Sequence, residues 1–436
     1  MLKEERLDSD ALEQLPCSLR QQLKFERFHL HKPDLFQDRS RDPAFDPKYL
    51  PQHCGVVPLP CYWIERRHLH VFGAQARVAD ELNFFSGDGP NDTVLFPIHP
   101  ASLGQYQQLL MKLAARDAAL DGLRIWGVPT SSARTFLAWP DRMPERALFV
   151  KLTLHSPIFG DRRLYPWKVA RSVGLSALVQ QSLDQLPNGL GYLPETFGFT
   201  PRQLPDSGVI VRSIPECIRA NRLMLVPLFA LMGGDQVKPL LLSVLERTGQ
   251  RPLEFLEEVL CAQFARVWLE MSLQHGLILE SHGQDLMLAM SPDLRCVERF
   301  YYRDFEGMQV DWELRRQRRL PTPAHMPNCA AWHETYETWG YRYGQMLWYK
   351  LRISLLHYLY FVLAELEQML RAWQERGIVS GARFNENDLT AMFSRKMVEL
   401  IQELFAVRVQ ADYNICQHLN RFVRQLLDVR REVVGR

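Results

Sequence analysis

The sequence predicts an α+β fold: a strand-rich part carrying mixed sheet, then an all-helical C-terminal part. Three observations point there. Residues 56–154 alternate short apolar runs with turn chemistry. An amphipathic segment over 252–276 keeps Leu253, Leu256, Leu260, Phe264, Val267 and Met271 on a 3.6-residue period, then gives way to strand, turn and strand. From residue 331 onward the patterning is helical almost to the end. With 436 residues and a hydrophobic fraction of 47%, the chain can bury a large core without disulfides or structural metal.

The elements follow in order. Residues 10–30 carry helical patches, and 33–51 are rich in Pro and Asp, with Asp42-Pro43-Ala44-Phe45-Asp46-Pro47 as loop chemistry. Val56-Val57-Pro58-Leu59 and His68–Gly73 read as short strands, Ser86-Gly87-Asp88-Gly89-Pro90 as a breaker, and Val94–Ile98 as a buried strand. Helical spacing over 101–120 places Leu109, Leu110, Leu113 and Ala114 on one side. Strands are predicted at 123–127, 134–138 and 147–154, a helix at 165–184, and a strand at Val209–Arg212. Leu286–Met290, the turn Ser291-Pro292-Asp293 and Cys296–Phe305 make a β-hairpin, and a basic connection spans 311–330. Three parts are expected: 1–93, 94–310 and 311–436.

Lys+Arg 52 against Asp+Glu 50 gives a net charge of +2, which argues against nucleic-acid binding through bulk charge. The eight cysteines form no C-x-x-C pair, so neither a zinc ribbon nor a dense disulfide framework is expected. The longest apolar runs, 223–232 and 353–364, fall short of the roughly 20 residues of a membrane span, and Met1–Arg6 lacks the apolar core of a signal peptide. A cytoplasmic protein with no membrane partner and reduced thiols is the expectation. No G-x-x-x-x-G-K-[ST] or G-x-S-x-G is present, which excludes a P-loop and argues against an α/β-hydrolase.

Four segments carry chemistry: Pro97-Ile98-His99-Pro100; Ser131-Ser132-Ala133-Arg134-Thr135 with Lys151 and Arg162-Arg163; His275–Asp285; and Arg303-Asp304-Phe305-Glu306-Gly307. Ser132, Thr135, Arg134 and Lys151 read as an anion site, because hydroxyls and a guanidinium donate to phosphate or carboxylate oxygens. A surface serine turn beside an edge lysine accounts for the same residues. Glu280, His282 and Gln284 share one side if the chain is extended there, and the hairpin can return Asp304 beside Glu280. Two carboxylates facing a phosphate chain suit Mg²⁺, which takes few protein ligands and leaves the rest to nucleotide and water. A buried polar network capping the 252–276 helix is the plainer reading.

Taken together, the segments resemble the siderophore synthetases that work independently of nonribosomal peptide synthetases, of the aerobactin-synthetase type, over roughly residues 94–310. Pro97-Ile98-His99-Pro100 is similar to the family's Pro-Val-His-Pro stretch, and Ser132-Ala133-Arg134-Thr135 to its Ser-x-Arg-Thr motif. Lys151 and Arg163 match its later Lys and Arg, and Val211-Arg212-Ser213-Ile214-Pro215 resembles its Arg-Glu-x-Pro region. Glu280-Ser281-His282-Gly283-Gln284-Asp285 is similar to Glu-x-His-x-Gln-Asn, and Arg303-Asp304 to its Arg-Asp pair. The resemblance implies a cupped hand of fingers, a mixed-sheet palm and a helical thumb. It implies ATP-dependent adenylation of citrate or a related polycarboxylate, followed by attack of an amine or hydroxyl. It gives ATP to Ser132, Arg134, Thr135, Lys151 and Arg212, Mg²⁺ to Glu280 and Asp304, and the acid to Arg163, His282 and Gln284. Lys151, Arg163 and His282 take the catalytic roles, His282 as proton acceptor from the nucleophile. Small molecules are then the partners, with a homodimer left open.

The sequence also departs from that pattern. Only 96 residues precede Pro97, fewer than the family usually has, Phe159 stands where a substrate-facing Thr is common, and Asp285 replaces the usual Asn. A non-catalytic nucleotide- or carboxylate-binding member of a siderophore pathway is therefore the alternative. A ferric-siderophore reductase with an iron–sulfur centre ranks below both, because such a centre needs clustered cysteines. Arg315–Arg319 reads as a solvated linker, Trp348, Tyr349, Tyr358, Tyr360 and Phe361 as helical core, and either Lys350 or Lys396 could enter the site from the C-terminal helices.

Overall fold

The computed structural model describes residues 10–29, 47–51, 53–73, 84–85, 92–117, 124–141, 143–155, 164–183, 189–235, 238–321, 354–355, 358–379, 384–385 and 388–405. Within them lies a mixed α+β architecture of two main sheets, three smaller ones and a helical C-terminal part.

A seven-stranded sheet runs, in spatial order, Val57–Pro58, Ile125–Pro129, Thr135–Pro140, Leu148–Leu152, Val209–Arg212, Glu195–Pro201 and Leu69–Gly73. Its strands alternate side chains between two apolar environments, as a sheet covered on both faces must. Phe136, Val150, Leu152, Val209, Val211, Phe197 and Phe199 face one core, shared with the three-stranded sheet of Thr93–Pro97, Cys61–Glu65 and Ala114–Asp117. Leu137 and Phe149 face the other, where they meet Leu225, Met287, Ala289 and Tyr301 of a four-stranded sheet. That sheet orders Met224–Pro227, Leu286–Met290, Val297–Tyr302 and Leu190–Tyr192. Its far face carries Val226, Leu288, Met290, Phe300 and Tyr302, packed on Leu260, Phe264 and Trp268 and on Tyr358, Phe393 and Met397 from the C-terminal helices.

Helix Cys17–Phe28 closes the gap between the two large sheets, with Leu19 and Leu23 in their shared core and Phe25 in the core beyond. Ser18 fixes its start, donating through Oγ to Ile218 O (2.5 Å) and through its amide to Asn221 Oδ1 (2.9 Å). Strands on either side of residue 94 share sheets: Cys61–Glu65 pairs with Thr93–Pro97, and Leu69–Gly73 with Glu195–Pro201.

The 252–276 helix is present as Pro252–Phe255, Leu256–Gln263, Phe264–Leu269 and Glu270–Gln274, with π-helical turns in the second and fourth pieces. Gly276 ends it at φ +64°, as a C-terminal glycine does. Arg315 donates to His275 O at 2.6 Å and Arg318 to Gln274 O at 3.2 Å, so cations sit on the carbonyls at the negative end of the helix dipole. That corrects the linker reading: Trp312–Gln317 is helical and Arg315 is buried. Helix Leu103–Leu113 is shorter than expected, because from Ala114 the chain enters a strand paired with Cys61–Glu65. The strands Leu190–Tyr192 and Glu195–Pro201 had no counterpart in the sequence reading.

Tyr358 is core: its ring stacks on Phe264 at 3.7 Å and its hydroxyl donates to Leu260 O at 2.6 Å. Trp348, Tyr349 and Lys350 lie outside the described residues, as does the Ser86–Pro90 breaker. Among the described residues six cysteines are free thiols, and no helix there is long and apolar enough to cross a membrane.

Candidate functional site

Strand register assembles the site. Thr135 pairs with Lys151, Lys151 with Ile210, Phe149 with Arg212, and Arg212 with Glu195. Directly paired residues share a face, so Thr135, Lys151, Arg212 and Glu195 stand on the side of Leu137 and Phe149, toward the four-stranded sheet. The hairpin Leu286–Tyr302 of that sheet then delivers Arg303–Gly307 opposite them.

Lys151 is buried and donates to Asp304 Oδ1 at 2.7 Å and to Glu306 Oε2 at 3.1 Å. Burial alone would lower its pKa, but Asp304 and Glu306 outweigh that and raise it. Burial would likewise raise Asp304, yet Lys151, Arg212 and Arg134 hold it well below the usual carboxylate range. Glu306 is pulled down to about 2 against its burial, by Lys151 and Arg134. Lys168, on helix Pro166–Leu183, reaches Glu306 Oε1 at 3.2 Å, and Arg134 Nη2 lies 3.9 Å from Glu306. Arg212 is held by Glu195 at 2.7 Å, and Glu195 also accepts from Ser172 Oγ and from the Phe305 amide at 3.3 Å.

Glu280 and Asp285 behave differently from Asp304. Burial, then repulsion from Asp304, raises the pKa of Glu280, and Asp285 is pushed well above its ordinary value by burial, Asp304 and Glu280. A Cβ built on Gly307 would overlap Glu280 Oε2, so the absence of a side chain at 307 is what admits this carboxylate. Among the described residues no group of three or more His, Cys, Asp and Glu is set to hold a metal. Glu280 and Asp304 remain the pair whose mutual repulsion a divalent cation would relieve, which suits an ion that draws most of its ligands from nucleotide and water.

The serine loop leads into the strand that carries Thr135. Ser132 Oγ accepts from the Thr135 amide at 3.1 Å and contacts Thr135 Oγ1 at 2.9 Å. Ala133 takes φ +58° and Asp304 φ +69°, left-handed backbone that non-glycine residues rarely adopt. Both belong to motifs the sequence singled out, and such strain concentrates at functional sites. His99 is buried beside the loop. It accepts the Ala101 amide at Nδ1 (3.0 Å), which puts its proton on Nε2, and from there it donates to Ala133 O at 3.2 Å. Burial holds its pKa at about 4. Among the described residues, Arg134 Nη1 and Arg212 Nε are buried without a hydrogen-bond partner, two donors consistent with an anionic ligand.

Other expectations land elsewhere. Segment 280–285 is a turn rather than an extended strand: His282 N donates to Glu280 O at 2.8 Å and Asp285 N to His282 O at 3.0 Å. His282 accepts the Gln284 amide at Nδ1 (3.0 Å), and Gln284 Nε2 donates to Ser131 Oγ at 3.2 Å. Lys396 is engaged by Glu257 and Glu399, each at 3.1 Å. Arg162, Arg163 and Phe159 lie outside the described residues. Glu26, Lys168 and Glu195 were not anticipated. Glu26 left one signal: it continues the Leu19–Leu23 stripe of its helix, where an apolar residue belongs.

The petrobactin biosynthesis protein AsbB from Bacillus anthracis str. Sterne has a similar structure, with a TM-score of 0.60 at 15% identity over 86% of this chain and 64% of that one. ATP-bound aerobactin synthetase IucA from Klebsiella pneumoniae matches with a TM-score of 0.58 at 20% identity, over 82% of this chain and 65% of its own. Aerobactin synthetase IucC from the same pathotype gives 0.58 at 17%, over 89% and 74%. The chain has the aerobactin-synthetase fold. It spans just under two thirds of the length of AsbB and IucA. Residues 258–374 match a family described as ferric iron reductase FhuF-like transporter, and no curated protein matches the sequence. The matched span opens within the long helix behind the four-stranded sheet and takes in the hairpin Leu286–Tyr302 with Glu280, Asp285 and Asp304, but not the serine loop.

Proposed function

We propose that this chain is an ATP-dependent siderophore synthetase: it adenylates a carboxylic acid, citrate or a related polycarboxylate, and passes the acyl group to an amine or hydroxyl. The observation that carries this reading is the facing of Lys151, Arg134 and Lys168 against Asp304 and Glu306. Supporting it are an Arg134 nitrogen with no hydrogen-bond partner among the described residues and a fold shared with an ATP-bound synthetase. Ser132, Thr135, Arg134, Lys151 and Arg212 serve the triphosphate, neutralising charge on the α-phosphorus and on departing pyrophosphate. Glu280 and Asp304 would hold Mg²⁺, which would supply further charge neutralisation. A carboxylate attacks without losing a proton, so positioning dominates the first half-reaction. Arg163, His282 and Gln284 are assigned to the acid, and His282 to the proton released by the nucleophile in the second half. The reaction takes place among small molecules in the cytoplasm.

The test is carboxylate-dependent pyrophosphate release over a panel of acids, with hydroxylamine as acceptor. Release with one or more polycarboxylates supports the reading, and none with any acid by folded protein removes it. The FhuF-like match favours a second reading, a ferric-siderophore reductase. Within the described part of that span, Cys261 is buried and Cys296 exposed, far from the cysteine clustering an iron–sulfur centre needs. An iron–sulfur absorbance band in anaerobically purified protein would favour that reading.

A further inference from the structure

We propose that Glu26 is a positioning residue for the nucleotide–metal site, clamping the serine loop to the Arg303–Asp304 corner; this rests on the function proposed above. Four donors converge on its fully buried carboxylate. Arg303 Nη1 reaches Oε1 at 2.6 Å and Gln22 Nε2 the same oxygen at 2.9 Å, while the amide and Oγ of Ser131 both reach Oε2 at 3.2 Å. Ser131 immediately precedes Ser132, and Arg303 immediately precedes Asp304. One side chain therefore locks two segments, each one residue from a group assigned to phosphate or metal. Arg303 Nη2 also approaches Ser131 Oγ at 3.4 Å, and Arg303 Nε donates to Gln284 O at 3.1 Å, which closes the network.

The clamp is anchored from outside the site. Arg27 Nε donates to Pro51 O at 2.7 Å, and a Cβ on Gly233 would overlap His29 O, so the end of the helix is held tightly. Packing alone does not call for a carboxylate here. Burying one costs several kcal/mol unless it is paired, and an apolar residue would complete the Leu19–Leu23 stripe without that cost. What the charge does is occupy Arg303. That guanidinium acts electrostatically on Asp285, and the Arg303 backbone amide donates to Asp285 O at 3.0 Å. Left uncompensated, it would be drawn to Asp285, which Asp304 and Glu280 also face, and would compete there with a divalent cation.

The test is Glu26→Gln, which keeps the shape and removes the charge. Calorimetry with Mg-ATP over a range of Mg²⁺ concentrations reads the metal requirement, and hydrogen exchange reads the Ser131–Thr135 amides. Outer-shell partners of a metal site typically cost about 10–100-fold when changed, so the half-saturating Mg²⁺ concentration is expected to rise at least ~10-fold. The Ser131 amide is expected to exchange faster. Glu26→Gln/Arg303→Gln, which removes both charges, is expected to return the Mg²⁺ midpoint toward wild type, which a merely structural role would not do. If Glu26→Gln does not fold, Ser131→Ala keeps the ion pair and cuts the Oγ link. Faster exchange confined to 131–135 then supports the clamp, and wild-type exchange overturns it. A folded Glu26→Gln protein with the wild-type midpoint and exchange overturns the proposal. Should wild type bind no Mg-ATP, the proposed function falls, and exchange in Glu26→Gln still decides whether Glu26 sets the loop.

Discussion

Lys151 and Asp304, 153 positions apart in sequence, meet at 2.7 Å and join the seven-stranded sheet to the corner that follows the hairpin. Each is shifted by the other toward its charged form. The pair is both a structural tie and the centre of the proposed phosphate site, and its variants separate those roles.

Lys151→Met leaves the half-buried Asp304 without its ammonium and Glu306 with that of Lys168 alone. Breaking a buried pair by removing one partner costs about 3–5 kcal/mol, and denaturant melts should show a loss of that order. Mg-ATP binding should vanish in calorimetry. A variant that melts like wild type would show the pair to be less buried or less coupled than its geometry indicates.

Gly307→Ala drives a methyl into the space of Glu280 Oε2. The carboxylate end must swing away while the backbone stays, so the fold should survive and the metal-dependent step should not. Pyrophosphate release is expected to fall at least ~10-fold at fixed Mg²⁺. Glu280→Gln should remove the same step yet melt no lower than wild type, because it relieves a repulsion with Asp304.

His99 gives a pH signature. Its folded pKa of about 4 lies below the unfolded 6.5, so the unfolded chain binds the extra proton first. Stability from this group is complete above the unfolded pKa and is lost as pH falls through 6.5 toward 4. The loss is roughly 3 kcal/mol at the bottom of that window. Urea melts between pH 7 and about 4 should show it, and His99→Gln should flatten that part of the profile. An equal slope in the variant would assign the dependence to other groups.

Gly276→Ala is the control away from phosphate. At φ +64° its Cβ would come within 2.9 Å of Asp311 O, so strain and crowding together should cost about 1–2 kcal/mol. Nucleotide binding should be unchanged, and weakened binding would couple the helix end to the site.

Much of this was legible in the chain. Val209–Arg212 forms as the sequence outlined it, because four consecutive residues enter a sheet covered on both faces. Lys151 falls inside the strand predicted at 147–154, and the amphipathic segment predicted to end at 276 stops at Gly276. Glu195–Pro201 escaped notice because glycine, threonine and proline dilute its strand pattern. The geometry of 280–285 was misjudged because spacing of two implies one face only in extended chain, and hydrogen bonds to Glu280 O and His282 O curl this segment. Glu26 could be marked as out of place in its stripe. That it answers Arg303 is a fact of the tertiary fold, which local patterning does not encode.

Helix Cys17–Phe28 also has a consequence for how the protein is made. Its carboxylate at Glu26 waits for an arginine 277 positions later. At about 5–20 residues per second, ribosomal synthesis separates the two by roughly 15–55 seconds. Through that interval Leu19 and Leu23 have no completed core to enter, since Met287, Ala289 and Tyr301 are still unmade. The helix synthesised early is thus among the last pieces to dock, and the nascent chain must keep that apolar stripe from other partners until its final third emerges.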